Sequence, residues 1–309
     1  MSQTSRSLRP WLTLVRPANC LTAVADIAAG WAIAGAPGFG SLALLAGASV
    51  CLYAGGVTLN DVCDAAEDAR LRPERPIPSG QVSLISARVL AVLLLACGFS
   101  FALAAGVVTI GPQHGGWGAP GLIATGLVVM IILYNAVLKR WALPAAASMG
   151  ACRGLNLLLG VSAAPTALAV WWPAALGHLV YIAGVTLMAR RESARGADTQ
   201  RRTGVIAAIL ATLLVALGWL IAGVARPTRI VAPLAVGLLL FIAALAPRLL
   251  AALREPTTAR VRAAVGRGVL GVALLDGAIA AGFAGWAYGL SIAIVVPLTA
   301  WIGRRFTVT

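Results

Sequence analysis

Long stretches of about 20 residues with almost no charge recur along this chain, and they restrict its fold more than any other feature. Only 11% of the residues are charged, whereas a soluble domain has about 25%. Each stretch is long enough to cross the hydrocarbon core of a bilayer as a helix. Since lipid offers no hydrogen bonds to an exposed backbone, helices are the structure these stretches favour. The sequence therefore predicts an all-α, polytopic transmembrane helical bundle.

Hydropathy places ten candidate spans, and the short connections between them leave no room for an inserted soluble domain. The spans lie near residues 18–35, 41–62, 83–110, 119–138, 143–162, 167–189, 203–224, 230–250, 262–284 and 287–303. Many of them are rich in Ala and Gly, which is typical of closely packed helices in lipid. We expect a single integral-membrane domain over residues 1–309.

Basic residues follow alternate spans, while the opposite connections hold only Arg226 and Arg229. By the positive-inside rule, both ends of the chain and the connection after the second span face the cytoplasm. We therefore expect a protein of the cytoplasmic (inner) membrane. The net charge of +14 follows from this asymmetry. It favours contacts with anionic membrane lipids or a diphosphate and requires no nucleic acid.

An acidic cluster lies at the end of the second span, where residues 60–68 read NDVCDAAED. On a helix, Asn60, Asp61, Asp64 and Asp68 fall within an arc of roughly 100°. Carboxylates crowded in this way repel one another unless a cation neutralises them, and their hard oxygens suit Mg²⁺. At a membrane boundary such a cluster indicates a functional site. The alternative is a solvated acidic turn.

Two further segments accompany this cluster: residues 75–80 read RPIPSG, and residues 134–140 read YNAVLKR. Together with the cluster, and with Arg16-Pro17 before the first span, they resemble the UbiA superfamily of intramembrane prenyltransferases. The resemblance covers essentially the whole chain in segment order and length. It implies about nine to ten transmembrane helices around a central cavity.

The resemblance also implies a mechanism. Members of the superfamily transfer a prenyl group from a polyprenyl diphosphate to a lipophilic, often aromatic, acceptor, with Mg²⁺ bridging acidic residues and the diphosphate. Here the four cluster residues would hold the metal, the three aspartates and Lys139 would be catalytic, and Asn60 and Arg75 would bind substrate. The alternative for Lys139 is a topological anchor beside Arg140.

The sequence departs from the superfamily after the sixth span, where a second acidic motif is expected. Residues 188–198 read MARRESARGAD, and Glu192 and Asp198 would not share a helix face. One explanation is that Arg190, Arg191 and Arg195 bind the diphosphate in place of a second metal. Another is a non-catalytic protein that binds or translocates a lipid-linked metabolite, similar to the UbiA-like EboC branch. A third is a changed donor or acceptor.

Several polar residues lie inside the predicted spans. Arg153 and Asn156 share a face of the fifth span. Because an arginine in a bilayer usually pairs, Asp26 and Asp276 are its possible partners. The pair could be purely structural, or Arg153 and Asn156 could line a substrate cavity, and the same alternatives apply to Tyr134 and Asn135. His178 in the sixth span is either a packing residue, which we favour, or a catalytic base.

Overall fold

The computed structural model describes residues 8–110, 118–192, 198–224 and 231–306, and of residues 110, 191–192 and 303–306 it describes only the backbone. The described chain forms fourteen α-helices and a short 3₁₀ turn at Leu138–Arg140. The helices are α1 (Arg9–Val15), α2 (Pro17–Ile33), α3 (Phe39–Cys63), α4 (Ala65–Leu71), α5 (Leu84–Ile110), α6 (Gly118–Ala136), α7 (Ala142–Val161), α8 (Pro165–Trp171), α9 (Ala174–Glu192), α10 (Asp198–Val224), α11 (Val231–Arg254), α12 (Thr258–Ala284), α13 (Trp286–Ala293) and α14 (Val295–Phe306).

A helix or a broken pair of helices occupies each of the ten predicted spans. Six described helices are long and apolar enough to cross a membrane, namely α3, α5, α6, α10, α11 and α12. The pair α8 and α9, bent by 58°, gives a seventh crossing if it counts as one span. The all-helical membrane architecture is confirmed, whereas the number of nine to ten crossings stays a prediction.

The tenth predicted span is divided, because α13 ends at Ala293 and α14 begins at Val295. The stretch Trp286–Ile302 is apolar but short for a crossing helix. Its α14 half contacts α2 and α12, so it packs on the bundle.

Large apolar side chains cover the outside of the bundle. Leu93, Leu122, Leu214 and Leu239 are each at least 60% exposed, and they lie on four different long helices. Apolar exposure on this scale suits a surface in contact with lipid. The molecule is therefore an integral membrane protein.

Helices α2 and α7 join the two halves of the bundle. One core cluster is built mainly from α9–α12 and the other from α3, α5 and α6, and both α2 and α7 contribute to each. The two helices cross in backbone contact, because a Cβ added at Gly30 would lie 2.2 Å from the Leu157 carbonyl oxygen. A Cβ at Gly160 would lie 2.4 Å from the carbonyl oxygen of Ile27. Small residues of this kind let membrane helices approach closely.

The segment between α4 and α5 folds as a cap over the end of α3. A small apolar cluster of Leu14, Val62, Val82 and Ala87 ties this segment to α1, α3 and α5. The proline-containing stretch 72–76 breaks the helix, and α4 ends at Leu71. The cap fixes the position of Arg75 beside the acidic cluster.

Candidate active site at the mouth of an intramembrane cavity

A cavity of about 200 Å³ lies among α3, α6 and α7. Most of its lining surface is apolar, with Asn60 and Asn135 near the C-termini of α3 and α6 and with Arg153 and Asn156 farther inside on α7. The lining residues are Arg16, Ser49, Leu52, Tyr53, Gly56, Val57, Asn60, Leu127, Ile131, Tyr134, Asn135, Met149, Cys152, Arg153 and Asn156. Five residues predicted to bind substrate therefore line one cavity, although they come from three separate segments of the chain.

The acidic cluster lies next to this mouth, but not on one continuous helix as we expected. Helix α3 ends at Cys63, and α4 begins at Ala65, because Asp64 adopts φ −92° and ψ 1°. The backbone still bonds at four-residue steps, from Asp64 N–H to the Asn60 carbonyl (2.9 Å) and from Asp68 N–H to the Asp64 carbonyl (2.8 Å). The predicted spacing of the side chains therefore survives the break.

Each carboxylate of the cluster has a cationic partner. Arg16 Nη2 lies 2.6 Å from Asp61 Oδ1, and Lys139 Nζ lies 2.5 Å from Asp64 Oδ1. Arg75 Nη1 reaches two carboxylates, Asp68 Oδ2 at 2.6 Å and Asp61 Oδ1 at 3.5 Å. Three segments distant in sequence thus meet at the mouth, where negative and positive charges alternate.

These carboxylates have the chemistry that a divalent cation requires. They offer hard oxygen ligands and are largely buried at Asp61 and Asp68. The Arg75 nitrogen lies within 3.5 Å of both of these carboxylates, which shows that they are close enough for one cation to bridge them. The residues therefore fit a Mg²⁺ ion, and the metal role of all four cluster residues stays a prediction.

Asn60 connects the cluster to the opposite wall of the cavity. Its side-chain amide donates to Asn135 Oδ1 (3.0 Å), and the Asn135 amide in turn donates to the Ile131 carbonyl (2.9 Å). These bonds link α3 to α6 at the mouth. Tyr134, one residue earlier on α6, also lines the cavity. Asn135 therefore has both a structural and a cavity-lining position, and Tyr134 has a cavity-lining position.

Arg153 and Asn156 bind Asp26 on α2, which settles the choice between the two candidate partners. Arg153 Nη1 lies 2.9 Å and Asn156 Nδ2 lies 2.8 Å from Asp26 Oδ2. Arg153 also donates to Thr22 Oγ1 (2.7 Å), and its guanidinium lies 5.4 Å from the centre of the Tyr53 ring. The arginine is thus both half of a buried ion pair and part of the cavity wall.

Asp276 binds His178 instead, with His178 Nε2 at 2.8 Å from Asp276 Oδ1. Both side chains are fully buried, and neither lines the cavity. His178 is therefore held by a polar partner and is more than an apolar packing residue. In the described part of the chain, His178, Asp276 and Asp26 form a group of three side chains whose ligand atoms lie close enough together to hold a metal ion. Arg153 already supplies a positive charge to this group, so we assign no metal there.

The end of α9 reaches the same mouth. Arg190 Nη1 donates to the Lys139 carbonyl oxygen at 3.0 Å, and Lys139 binds Asp64. Of the other two arginines proposed for the diphosphate, Arg191 has only its backbone described, and Arg195 lies outside the described residues. The structure therefore brings one of the three predicted arginines to the site.

Arg16 also belongs to the site, although the sequence marked it only as part of the Arg16-Pro17 motif. It adopts left-handed backbone angles, φ 50° and ψ 63°, between α1 and α2. Strain of this kind in a non-glycine residue concentrates at functional sites. The turn directs Arg16 to Asp61 and to the cavity mouth. The signal available in the sequence was a cation directly before a proline that begins a span.

The fold and the site together define a class of protein: a polytopic helical membrane protein with a charge-rich mouth over an apolar cavity. The chain belongs to the UbiA prenyltransferase family, whose model matches residues 21–264. The predicted superfamily is confirmed, while the resemblance to the EboC branch stays a prediction.

Relatives of known name match parts of the chain. A digeranylgeranylglyceryl phosphate synthase from Ignicoccus hospitalis is 34% identical over 158 residues, which cover 51% of this chain and 48% of that protein. The synthase of the same name from Methanopyrus kandleri is 46% identical over 105 residues, covering 33% and 36% of the two chains. The matched regions therefore span about half of these relatives' length or less.

Solved structures of UbiA homologues match almost the whole chain. A homologue from Archaeoglobus fulgidus has a TM-score of 0.63 at 14% identity, with 92% of this chain and 99% of that chain covered. The same homologue bound to GPP and Mg²⁺ has a TM-score of 0.61 at 15% identity and the same coverage. A homologue from Aeropyrum pernix has a TM-score of 0.59 at 15% identity, covering 92% and 98%. At these identities the likeness shows the fold.

Proposed function

We propose that this protein transfers a prenyl group from a polyprenyl diphosphate to an acceptor within the membrane. The observation that carries the proposal is the alternation of carboxylates and cations at the mouth of an apolar cavity, in a member of the UbiA prenyltransferase family. An amphiphile with a polyanionic head and an apolar tail matches this distribution of charge and apolar surface.

We further propose that Mg²⁺ is the cofactor, held by Asn60, Asp61, Asp64 and Asp68. The structural neighbour from Archaeoglobus fulgidus bound to GPP and Mg²⁺ supports both the metal and the class of donor. When bound, Mg²⁺ neutralises the negative charge that develops on the leaving diphosphate. The four residues supply the oxygen ligands this ion prefers.

The cations at the mouth exchange partners when substrate binds. Arg16, Arg75 and Lys139 neutralise the carboxylates in the free protein. The same three cations lie where they would bind the phosphate oxygens of a donor, and Arg190 adds a fourth cation at the mouth. Such charge-assisted contacts are strong. When the allylic carbon–oxygen bond breaks, its electrons leave with the diphosphate, and the negative charge on the diphosphate grows. The contacts between the cations and the phosphate oxygens are then strongest, so they stabilise the transition state.

The prenyl chain lies in the cavity, against Leu52, Val57 and Ile131. At about 200 Å³ the cavity is smaller than most ligand pockets, which hold roughly 300–1,000 Å³. A polyprenyl chain must therefore extend beyond the cavity, between helices and towards lipid. The apolar wall keeps water away from the allylic cation, which would otherwise be hydrolysed.

The acceptor that we propose is a lipophilic one with a glycerol phosphate head group, whereas the family resemblance favoured an aromatic or another lipophilic acceptor. The named relatives are digeranylgeranylglyceryl phosphate synthases, and this supports an alcohol oxygen as the nucleophile. The bond between the allylic carbon and the diphosphate oxygen breaks, the acceptor hydroxyl oxygen bonds to the allylic carbon to form an ether, and the hydroxyl proton passes to the departing diphosphate. Tyr134, Asn135, Arg153 and Asn156 line the space beside the donor and would orient this acceptor.

Residues 1–309 would act as one catalytic domain in the cytoplasmic membrane, with the mouth facing the cytoplasm. The support is the distribution of basic residues, which favours the cytoplasm for the end of the bundle that bears the acidic cluster.

The test is a reaction in lipid nanodiscs with geranylgeranyl diphosphate and Mg²⁺. We would offer either a prenylated glycerol phosphate or a hydroxybenzoate and would measure diphosphate release and product mass. We expect an ether product with the glycerol phosphate alone, and loss of turnover in Asp61→Asn and Asp68→Asn. Glu67→Gln removes one exposed acid from the same segment and serves as the matched control.

Each other outcome corrects a different part of the proposal. An aromatic product would keep prenyl transfer and overturn the acceptor. Binding of the donor without diphosphate release would favour the non-catalytic lipid-binding alternative. That alternative has one observation in its support, the arginines that stand where a second acidic motif was expected.

A further inference from the structure

A second, larger cavity of about 600 Å³ opens on the outside of the bundle, between α11, α12 and α14. It is separate from the site at the mouth and shares no lining residue with it. Arg248 and Arg267 line this groove together with the apolar residues Leu270, Val296 and Pro297. Trp301 lies at its edge and is 54% exposed.

Both arginines lie within the length of their helices and away from the helix ends. Arg248 is six residues before the end of α11 at Arg254, about 9 Å along the axis. Arg267 is nine residues after the start of α12 at Thr258, about 14 Å along the axis. Within the predicted spans 230–250 and 262–284, Arg248 lies two residues before the end of its span and Arg267 lies five residues after the start of its own. Both charges therefore lie near the membrane boundary, where anionic head groups are found.

No acidic side chain in the described ranges forms an ion pair with either arginine. The nearest acid in sequence, Glu255, is engaged by Arg260 at 2.8 Å. The contrast with Arg153 is clear, because that arginine has Asp26 as its partner inside the bundle. Within the described ranges, both positive charges of the groove are therefore left without an acidic partner.

We propose that this groove binds an anionic phospholipid of the surrounding bilayer. The head-group phosphate lies between the guanidinium groups of Arg248 and Arg267, which donate charge-assisted hydrogen bonds to its oxygens. An acyl chain runs along Leu270, Val296 and Pro297, and Trp301 sits at the level of the head groups. Basic pockets between transmembrane helices are suited to anionic head groups for this reason.

The bound lipid would fasten α14 to the rest of the bundle. Helix α14 supplies one wall of the groove, while both arginines belong to α11 and α12. A phosphate that bridges these helices therefore stabilises a segment that is too short to be held by spanning the membrane alone.

The test is native mass spectrometry of the purified full chain from micelles containing equal amounts of phosphatidylglycerol and phosphatidylcholine. We expect the protein to retain phosphatidylglycerol preferentially. Arg248→Gln/Arg267→Gln should weaken this retention by about tenfold or more, because two charge-assisted contacts are lost. Arg254→Gln/Arg260→Gln removes two charges from the same ends of the same helices, outside the groove, and should retain the lipid.

Arg248→Lys/Arg267→Lys keeps both charges and should retain most of the binding, so a loss in the Gln variant cannot be ascribed to misfolding alone. Equal retention of the two lipids would overturn the proposal. An equal loss in the groove variant and the control variant would also overturn it, since net charge alone would then explain binding. Displacement by an equal concentration of soluble glycerol 3-phosphate would show that the apolar wall contributes nothing, and would exclude a lipid site.

Discussion

Replacing Arg75 by Gln should strengthen the binding of Mg²⁺ alone and weaken the binding of the diphosphate. In the free protein Arg75 contacts both Asp61 and Asp68, two of the residues that would hold a divalent cation. This guanidinium group would therefore compete with a cation for the two carboxylates. After the exchange, the same group is available to the diphosphate. One substitution should thus move two affinities in opposite directions.

The structure sets the size of both effects. Arg75 makes one close contact, 2.6 Å to Asp68, and one at the limit of hydrogen bonding, 3.5 Å to Asp61. The side chains of Arg75 and Asp68 are only 14% and 8% exposed, so water screens the close contact little. A hydrogen bond to a charged group contributes roughly 1.5–3 kcal/mol. We therefore expect a change of about tenfold to a hundredfold in each affinity.

Calorimetry can measure both affinities on protein in detergent micelles. Mg²⁺ is titrated first without a diphosphate, and then a thio-analogue of geranylgeranyl diphosphate that resists ionisation is titrated at saturating Mg²⁺. Arg72→Gln is the matched control, because Arg72 is exposed and belongs to the same cap. Unchanged or weaker Mg²⁺ binding in Arg75→Gln would refute the exchange of partners, as would an equal shift in the control.

Three further predictions concern the cavity, the core and the orientation. Gly56→Ala should shift turnover towards shorter prenyl donors, because the added Cβ would meet Ile131 at 3.4 Å within the cavity wall. Gly126→Ala is the control and should leave donor preference unchanged, since its Cβ would contact Leu155 at 3.8 Å. Asp26→Leu should lower the free energy of unfolding in mixed micelles by about 3–5 kcal/mol, because it leaves Arg153 buried without a counter-ion. The double variant Asp26→Leu/Arg153→Met should restore much of the lost stability, because it removes the unpaired charge. The exposed thiol of Cys63 should react with a membrane-impermeant maleimide in inverted vesicles and stay protected in intact cells, with the Cys63→Ser variant as the background.

The helical segments could be predicted from the sequence because each one is encoded locally. An uncharged run of about 20 residues has few alternatives to a helix in lipid. The break at Asp64 had no such signal, because Asp64 lies in a run compatible with continuous helix. The division of the tenth span did have a signal, which we missed, because Pro297 lies in the first turn of α14 and a proline inside an apolar run favours a new helix start.

The sequence could predict which residues belong to the site, but it could not predict which of them form ion pairs with one another. Spacing along α3 and α4 predicted which carboxylates share a face, and this is a local property. The pairing of Asp64 with Lys139, 75 residues away, depends on how α3 and α6 pack. The partner of Arg153 was open between Asp26 and Asp276 for the same reason. Only the crossing of α2 and α7, set by Gly30 and Gly160, brings Asp26 to the arginine.

The arginines at the end of α9 acquire a role through this packing. Arg190 holds the backbone of Lys139, whose ammonium group binds Asp64. A chain of contacts therefore runs from the altered second motif to the first motif at the cavity mouth. A cationic side chain fixed at the cavity mouth supplies positive charge that a metal ion would otherwise supply, and it needs no acidic ligands. Arginine also keeps its charge at any working pH. The replacement of acidic residues by arginines is thus compatible with a site that uses one metal where two would otherwise be expected. If Arg190 only fixed topology, Arg190→Lys would keep full diphosphate affinity. We expect a loss instead, because lysine cannot hold the Lys139 carbonyl and a phosphate oxygen in the same planar geometry.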